Sequence, residues 1–312
     1  MLNLSELYEQ VVPIRDDLTS GAAEIALRAI GIFQAMLAGT EELSPPEVRE
    51  RLTATARALI DAQPAMAPLF QLSNTVLLSA SGANTTAEIH ARCNEALEGF
   101  DRRMCDSAQS IAEHVFDLIP AGELVFAYSF SSTVVSSLLH ARGRGKYFRV
   151  LSTESRPAFE GRKLAAMLAS GGLEVIHTFD TAVGLVLPMC RAAFMGCDCV
   201  GRPGVVNKVG SWVLAVACRE LGIPLYALCG TEKFVDDDRF FEFEKHERPG
   251  SEVWDEPPEG VRVLNRHFEI VPFSHLAGLV TEHGILREKE IGKIVQELEV
   301  HASLRLEGSA FA

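Results

Sequence analysis

The sequence predicts an α/β fold, a helical first part joined to a parallel sheet covered by helices on both faces. Three observations carry this expectation. Apolar residues recur at helical spacing up to about residue 120. Beyond Gly122, short apolar runs alternate with amphipathic stretches at the spacing of βαβ units. Hydrophobic residues make up 47% and charged residues 23% of the 312-residue chain, which is enough apolar material to bury a large core.

The elements follow in order. Ile25, Ala29, Ile32, Phe33 and Met36 share one helical face, as do Leu52, Ala56, Leu59 and Ile60. Ser44-Pro45-Pro46-Glu47 reads as a helix start, with Ser44 as the cap and proline in the first turn. A long pattern rich in Ala, Glu and Arg spans about 86–118. Strands are expected at 124–127, 148–151, 174–176, 193–195 and 224–228, and the helices between them at 134–139, 159–170, 182–189 and 208–221. The polar stretch 236–260 reads as an irregular excursion before a strand–loop–helix unit over 261–301. Its triplet Asp236-Asp237-Asp238 suits a solvated loop better than a divalent-metal site. In a parallel sheet, ligands sit beyond the carboxyl ends of the strands. That singles out 128–132, 153–161, Asp180, 196–208 and 230–234.

Charge and composition exclude several classes. Lys+Arg number 29 against 42 Asp+Glu, a net charge of −13, so no nucleic acid is expected as a partner. No run of roughly 18 apolar residues appears, and the first 17 residues mix Glu6, Glu9, Arg15 and Asp16 with apolar ones. No membrane partner is therefore expected, and a cytoplasmic location is. Seven cysteines, an odd number, suit free buried thiols, and Cys197-Asp198-Cys199 lacks the paired spacing of a zinc site, so no metal is expected. Neither a P-loop nor GxGxxG follows a strand, and GxSxG is absent, so no nucleotide cofactor and no serine nucleophile are expected. An acidic chain can hold an anion only where basic groups gather locally.

Candidate chemistry lies in those loops. Asp198 stands at a predicted strand end and suits proton exchange with a hydroxyl or carbonyl. Asn207 and Lys208 stand at a predicted helix start, where free N–H groups favour phosphate. The plainer reading makes Asp198 and Asn207 loop hydrogen-bonders and Lys208 a surface residue. Arg156 suits an oxyanion, or a staple to Glu154 or Glu160. Ser129 offers a hydroxyl at a further helix start, and Lys233 adds a cation to the same edge. His90, His114, His140, His177 and His275 sit in no motif.

The succession TESRPAFEGRKLA, FDTAVG, MGCD, GVVNKVGSWVLAVACRELGIPLYALCGTEKF and VTEHG resembles the translation initiation factor 2B α/β/δ superfamily. That superfamily also contains ribose-1,5-bisphosphate isomerase and methylthioribose-1-phosphate isomerase. The resemblance covers about 120–290 and extends more loosely over the helical part. It implies an N-terminal helical domain over 1–120, a doubly wound, mainly parallel Rossmann-like domain over 121–312, and a homodimer or higher oligomer. For the isomerases it implies conversion of an aldose 1-phosphate to a ketose by a cysteine and an aspartate. The aspartate falls on Asp198, the Asn-Lys pair on Asn207 and Lys208, the loop arginine on Arg156, and the glycine of an Arg-Gly-Ala motif on Gly21. Five positions depart from the pattern. The cysteine falls on Ala127 and the next residue is Tyr128. The two further arginines fall on Ser20 and Gln63, and the loop glutamine on Glu160.

Loss of the thiol forfeits roughly 10²–10⁴ in rate, and each lost arginine removes about 1.5–3 kcal/mol of charge-assisted bonding. Two readings stay open. One is a sugar or sugar-phosphate site, with any aldose-1-phosphate isomerisation using Asp198 and, in the cysteine's place, Tyr128. The other is a non-catalytic regulatory or assembly subunit, which the pair Ala127-Tyr128 resembles.

Overall fold

The computed structural model describes residues 4–17, 20–240 and 247–305. Five helices come first: α1 (Leu4–Arg15), α2 (Ala22–Ala38), α3 (Pro45–Ala62), α4 (Ala67–Ser81) and α5 (Thr86–Leu118). The apolar faces read from the sequence meet in one core around Phe33, Leu52, Leu59, Leu69 and Leu72. α3 begins as expected, with Ser44 and Glu47 in a reciprocal capping box. α5 is 33 residues long. Its first half, with Cys93 and Leu97, joins the helical core, and its second half, with Ile111 and Val115, covers the sheet that follows.

That sheet is built from β1 (Leu124–Tyr128), β2 (Arg149–Thr153), β3 (Glu174–Thr178), β4 (Ala192–Gly196), β7 (Leu225–Leu228), β9 (Gly278–Thr281) and β10 (Gly284–Leu286). Between them lie α6 (Ser132–Gly143), α7 (Glu160–Ser170), α8 (Val183–Val186), α9 (Ser211–Leu221) and α10 (Asp237–Phe240), and α11 (Glu288–Gln296) closes the series. The strand order is β10-β9-β7-β4-β1-β2-β3, all parallel except the β9–β10 hairpin. β1 and β4 are buried along their whole length, as expected of central strands covered on both faces. Along β1, Val125 and Ala127 face α5, α6 and α7, while Phe126 and Tyr128 face α9 and α11. The chain builds outward through β1, β2 and β3, then returns to the other side of β1 with β4. The β1–β4 boundary is therefore the switch point, the crevice where open α/β sheets bind ligands.

A second sheet of three antiparallel strands, β5 (Cys199–Gly201), β6 (Gly204–Lys208) and β8 (Phe268–Val271), lies between the helical core and the main sheet. Its residues alternate with the two-residue period of a strand. Cys199, Val206 and Ile270 pack into the helical core, and Val200, Val205 and Val271 pack into the core of the main sheet.

Three expectations are corrected by these elements. Lys208 does not open a helix: 204–208 is a strand, and α9 starts at Ser211. The stretch 182–189 is broken into short turns rather than one helix, with Pro188 unable to donate a backbone bond. The strand expected beyond 261 forms at Phe268–Val271 and joins the second sheet. Of the acidic triplet, the Asp236 carboxylate accepts the Arg239 amide at 3.0 Å. The side chains of Asp237 and Asp238 lie outside the described residues.

Gly210, between β6 and α9, has φ +100°, and a Cβ there would lie 2.0 Å from the Tyr128 hydroxyl. Gly210→Ala is expected to lower stability by about 2 kcal/mol or more, through backbone strain and displacement of the Tyr128 ring. The shift of the urea unfolding midpoint measures it.

Candidate functional site

A pocket opens at the switch point, walled on one side by the helical part and on the other by the sheet ends. Asp17, Ser20, Gly21, Gln63 and Met66 form the helical wall. Ser129 and Phe130 follow β1, Asp198 follows β4, Glu160 opens α7, and Asn207 and Lys208 end β6. Arg248, His267 and Phe268 complete the lining. The cavity volume is ≈ 40 Å³.

Asn207 and Lys208 both line the pocket, and alternation along β6 makes their side chains diverge to different partners. Asn207 follows Val205, and its Nδ2 donates to Ser211 Oγ at 2.8 Å. Lys208 follows Val206 toward the helical wall, 2% exposed. There its Nζ lies 3.3 Å from Glu160 Oε2 and 3.5 Å from His267 Nδ1. Ser129 Oγ donates to the same Glu160 oxygen at 2.8 Å. The position of Glu160 is set by its neighbour. A Cβ on Gly161 would fall 1.7 Å from the Thr153 carbonyl oxygen, so only glycine lets α7 start this close to the end of β2.

Asp198 is held by its backbone. Its N–H donates to Val206 O at 2.8 Å, and its carbonyl accepts the Ala67 N–H at 3.1 Å. Its carboxylate has no hydrogen-bond partner among the described residues and faces the pocket. Burial pushes it up to about 6. Lys233 and Lys208 act against that shift, and Glu160 reinforces it. The His267 imidazole is held below its usual range by burial and by the Lys208 charge, despite its contact with Glu252. Its Nε2 lies 2.5 Å from Glu252 Oε2. The ring therefore donates to Glu252 and accepts from Lys208.

A match to the Initiation factor 2 subunit family spans residues 18–288. The chain belongs to that family. It is 32% identical over 285 residues to a Pyrococcus furiosus protein named as eIF-2B subunit 2-like, covering 90% of this chain and 97% of that one. It is 27% identical to a ribose 1,5-bisphosphate isomerase of Archaeoglobus fulgidus, over 91% and 90% of the two chains. Among solved structures, the Pyrococcus horikoshii OT3 translation initiation factor eIF-2B superposes with a TM-score of 0.77 at 28% identity, over 90% of this chain and 96% of that one.

Of the residues singled out in the sequence, the structure brings Gly21, Ser129, Asp198, Asn207 and Lys208 to one pocket, together with the family departures Ser20, Gln63 and Glu160. Three others point elsewhere. Tyr128 donates its hydroxyl to Val209 O at 2.5 Å, and burial holds its pKa far above the usual phenol value, so it braces the β6–α9 turn. Lys233 turns inward, its Nζ donating to Cys197 O at 2.6 Å behind Asp198. Burial pulls its pKa down, but Asp198, Cys197 and Glu232 outweigh that and leave it raised. Arg156 is exposed and stacks 4.8 Å from the Phe159 ring centre, while Glu154 is taken by Arg162 rather than by Arg156.

The helix start expected to bind phosphate is also closed. The Glu269 carboxylate accepts the Gly210 and Trp212 amides, both at 2.7 Å. The β2 loop is filled likewise, with Asp180 accepting the Ser155 and Arg156 amides at 2.8 and 2.9 Å.

Arg248 and His267 were not found from the sequence. Where the resemblance places arginines, Gln63 accepts from Arg248 at 3.2 Å and Ser20 Oγ accepts from Arg28 at 2.9 Å. Both positions are thus reached by other arginines, Arg28 from the nearby α2 and Arg248 from 185 residues away, and of the two Arg248 lines the pocket. Among the described residues no metal-ligand cluster forms, and no helix is long and apolar enough to cross a membrane.

Asp198 is expected to leave a pH signature. Its folded pKa of about 6 lies above the ordinary aspartate value of 3.8, so the folded state binds more protons between those limits. Stability from this group is therefore present below about pH 4 and lost as pH rises through 6. Asp198→Asn should remove that loss, gaining roughly 1–3 kcal/mol relative to the native protein at pH 7.5 over pH 4. Paired urea titrations at the two pH values read it directly.

Proposed function

We propose that this family member binds a sugar or sugar phosphate in the switch-point pocket and does not turn it over by a cysteine–aspartate route. The observation that carries this reading is the Asp198 carboxylate, without a hydrogen-bond partner among the described residues and raised in pKa, in a pocket with Asn207, Lys208 and Ser129. An unpartnered carboxylate accepts sugar hydroxyls, and Asn207, Ser129 and Arg248 supply further polar groups. Proton transfer between adjacent sugar carbons needs a second group opposite Asp198. Ala127 is sealed inside the sheet, and the Tyr128 hydroxyl is committed to Val209. The helical domain, 1–120, and the sheet domain, 121–312, supply the two walls in this reading. A cavity of ≈ 40 Å³ has room for only a few waters, so a sugar enters as the lining side chains move apart.

Pentose and hexose phosphates are expected to raise the melting temperature of the native protein, and Lys208→Ala to abolish the rise. No rise with any of them would refute the reading. Turnover of a bound aldose phosphate that is lost in Asp198→Asn would restore the isomerase assignment.

Assembly is a second role favoured by a separate observation. α9 exposes Trp212, Val213 and Val216, and α8, packed beside it, exposes Leu185, which is 79% accessible. Such an apolar face suits a homodimer or higher oligomer in the cytoplasm. The double substitution Leu185→Glu with Val213→Glu should reduce the mass measured by light scattering to that of one chain. An unchanged mass would remove this face from the assembly.

A further inference from the structure

The two cations in the pocket lining have different partners. Lys208 is nearly inaccessible and faces the Glu160 carboxylate at 3.3 Å, with Ser129 Oγ bound to the same oxygen at 2.8 Å. Arg248 donates to the neutral Gln63 Oε1 at 3.2 Å and has no carboxylate partner among the described residues. We infer that Glu160 is a built-in anion that sets the ligand class: a sugar with at most one anionic group, seated at Arg248, and with an uncharged hydroxyl end toward Lys208. This rests on the pocket being the sugar site proposed above.

The argument is electrostatic. An anionic group reaching Lys208 would meet Glu160 and Asp198 in a poorly hydrated space, where like charges repel strongly. Glu160 has little freedom to withdraw. Its backbone is locked by the contact of Gly161 with Thr153, its oxygen is bound by Ser129, and its position opening α7 favours the negative charge. A hydroxyl, by contrast, can donate to Glu160 or Asp198 and accept from Lys208 without a change in net charge. At the other side, Arg248 gives a single ligand phosphate a planar, bidentate partner. The neighbouring sites follow the same logic, since Asp180 and Glu269 already fill the amide clusters at the ends of β2 and β6.

Calorimetric titration with ribose, ribose 5-phosphate and ribose 1,5-bisphosphate tests this in the native protein, Glu160→Gln and Arg248→Gln. The native protein should bind the monophosphate at least about tenfold more tightly than the bisphosphate. Glu160→Gln should erase that preference by strengthening bisphosphate binding, and Arg248→Gln should make the monophosphate bind no better than ribose. Glu160→Ala gives the same reading if the amide disturbs Ser129. A native preference for the bisphosphate, or a ratio unmoved by removal of the Glu160 charge, would overturn the inference while leaving the sugar site standing. Failure of all three probes to bind native and variant proteins would overturn the sugar site and this inference together.

Discussion

The second sheet is the constraint on which the site depends. It is buried on both faces, with the helical core on one side and the core of the main sheet on the other. A strand in that setting has its register fixed, because a slip of one residue would send every side chain to the wrong core. Val205 and Val206 could exchange places at modest cost, but Asn207 and Lys208 could not. The slip would drive a charged ammonium toward α9 and leave Glu160 without its partner. The same strands that join the two cores therefore aim the lysine.

The acidity of the chain acquires a structural meaning. Several carboxylates occupy places where an open α/β sheet ordinarily offers donors to an anion: Asp180 over the β2 loop, Glu269 on the first turn of α9, Glu282 on the Thr231 amide, and Glu160 on Lys208. Each satisfies backbone or ammonium groups that would otherwise need water or ligand. The net charge of −13 thus coexists with a sheet edge that is largely satisfied internally.

Much of the architecture was legible because it is local. Period 3.6 marked α2, α3 and α5, and continuous apolar runs marked β1 and β4. The loops singled out at strand ends include six residues that reach the pocket, Ser129, Phe130, Glu160, Asp198, Asn207 and Lys208. Lys208 is expected at a helix start because 196–207 reads as a loop, whereas 199–208 folds as a hairpin. The Pro203-Gly204 pair between two short apolar runs carries the signal of a tight turn, and a hairpin there gives the observed strands. Arg248 and His267 left no such trace. Arg248 meets Gln63 across 185 residues of chain, and His267 reaches Lys208 across 59, so neither contact has a local pattern to announce it. The inward turn of Lys233 was equally hidden, since only the folded chain places the Cys197 carbonyl within its reach.

The close approach of Gly161 to the Thr153 carbonyl has an evolutionary consequence. Because backbone packing places residue 160, its side chain can change without moving the frame around it. Glutamate and glutamine are nearly the same shape, and a single nucleotide change converts the codon of one into that of the other. A lineage with this frame can pass between a neutralised and an open lysine in one mutational step, without rebuilding the frame around it.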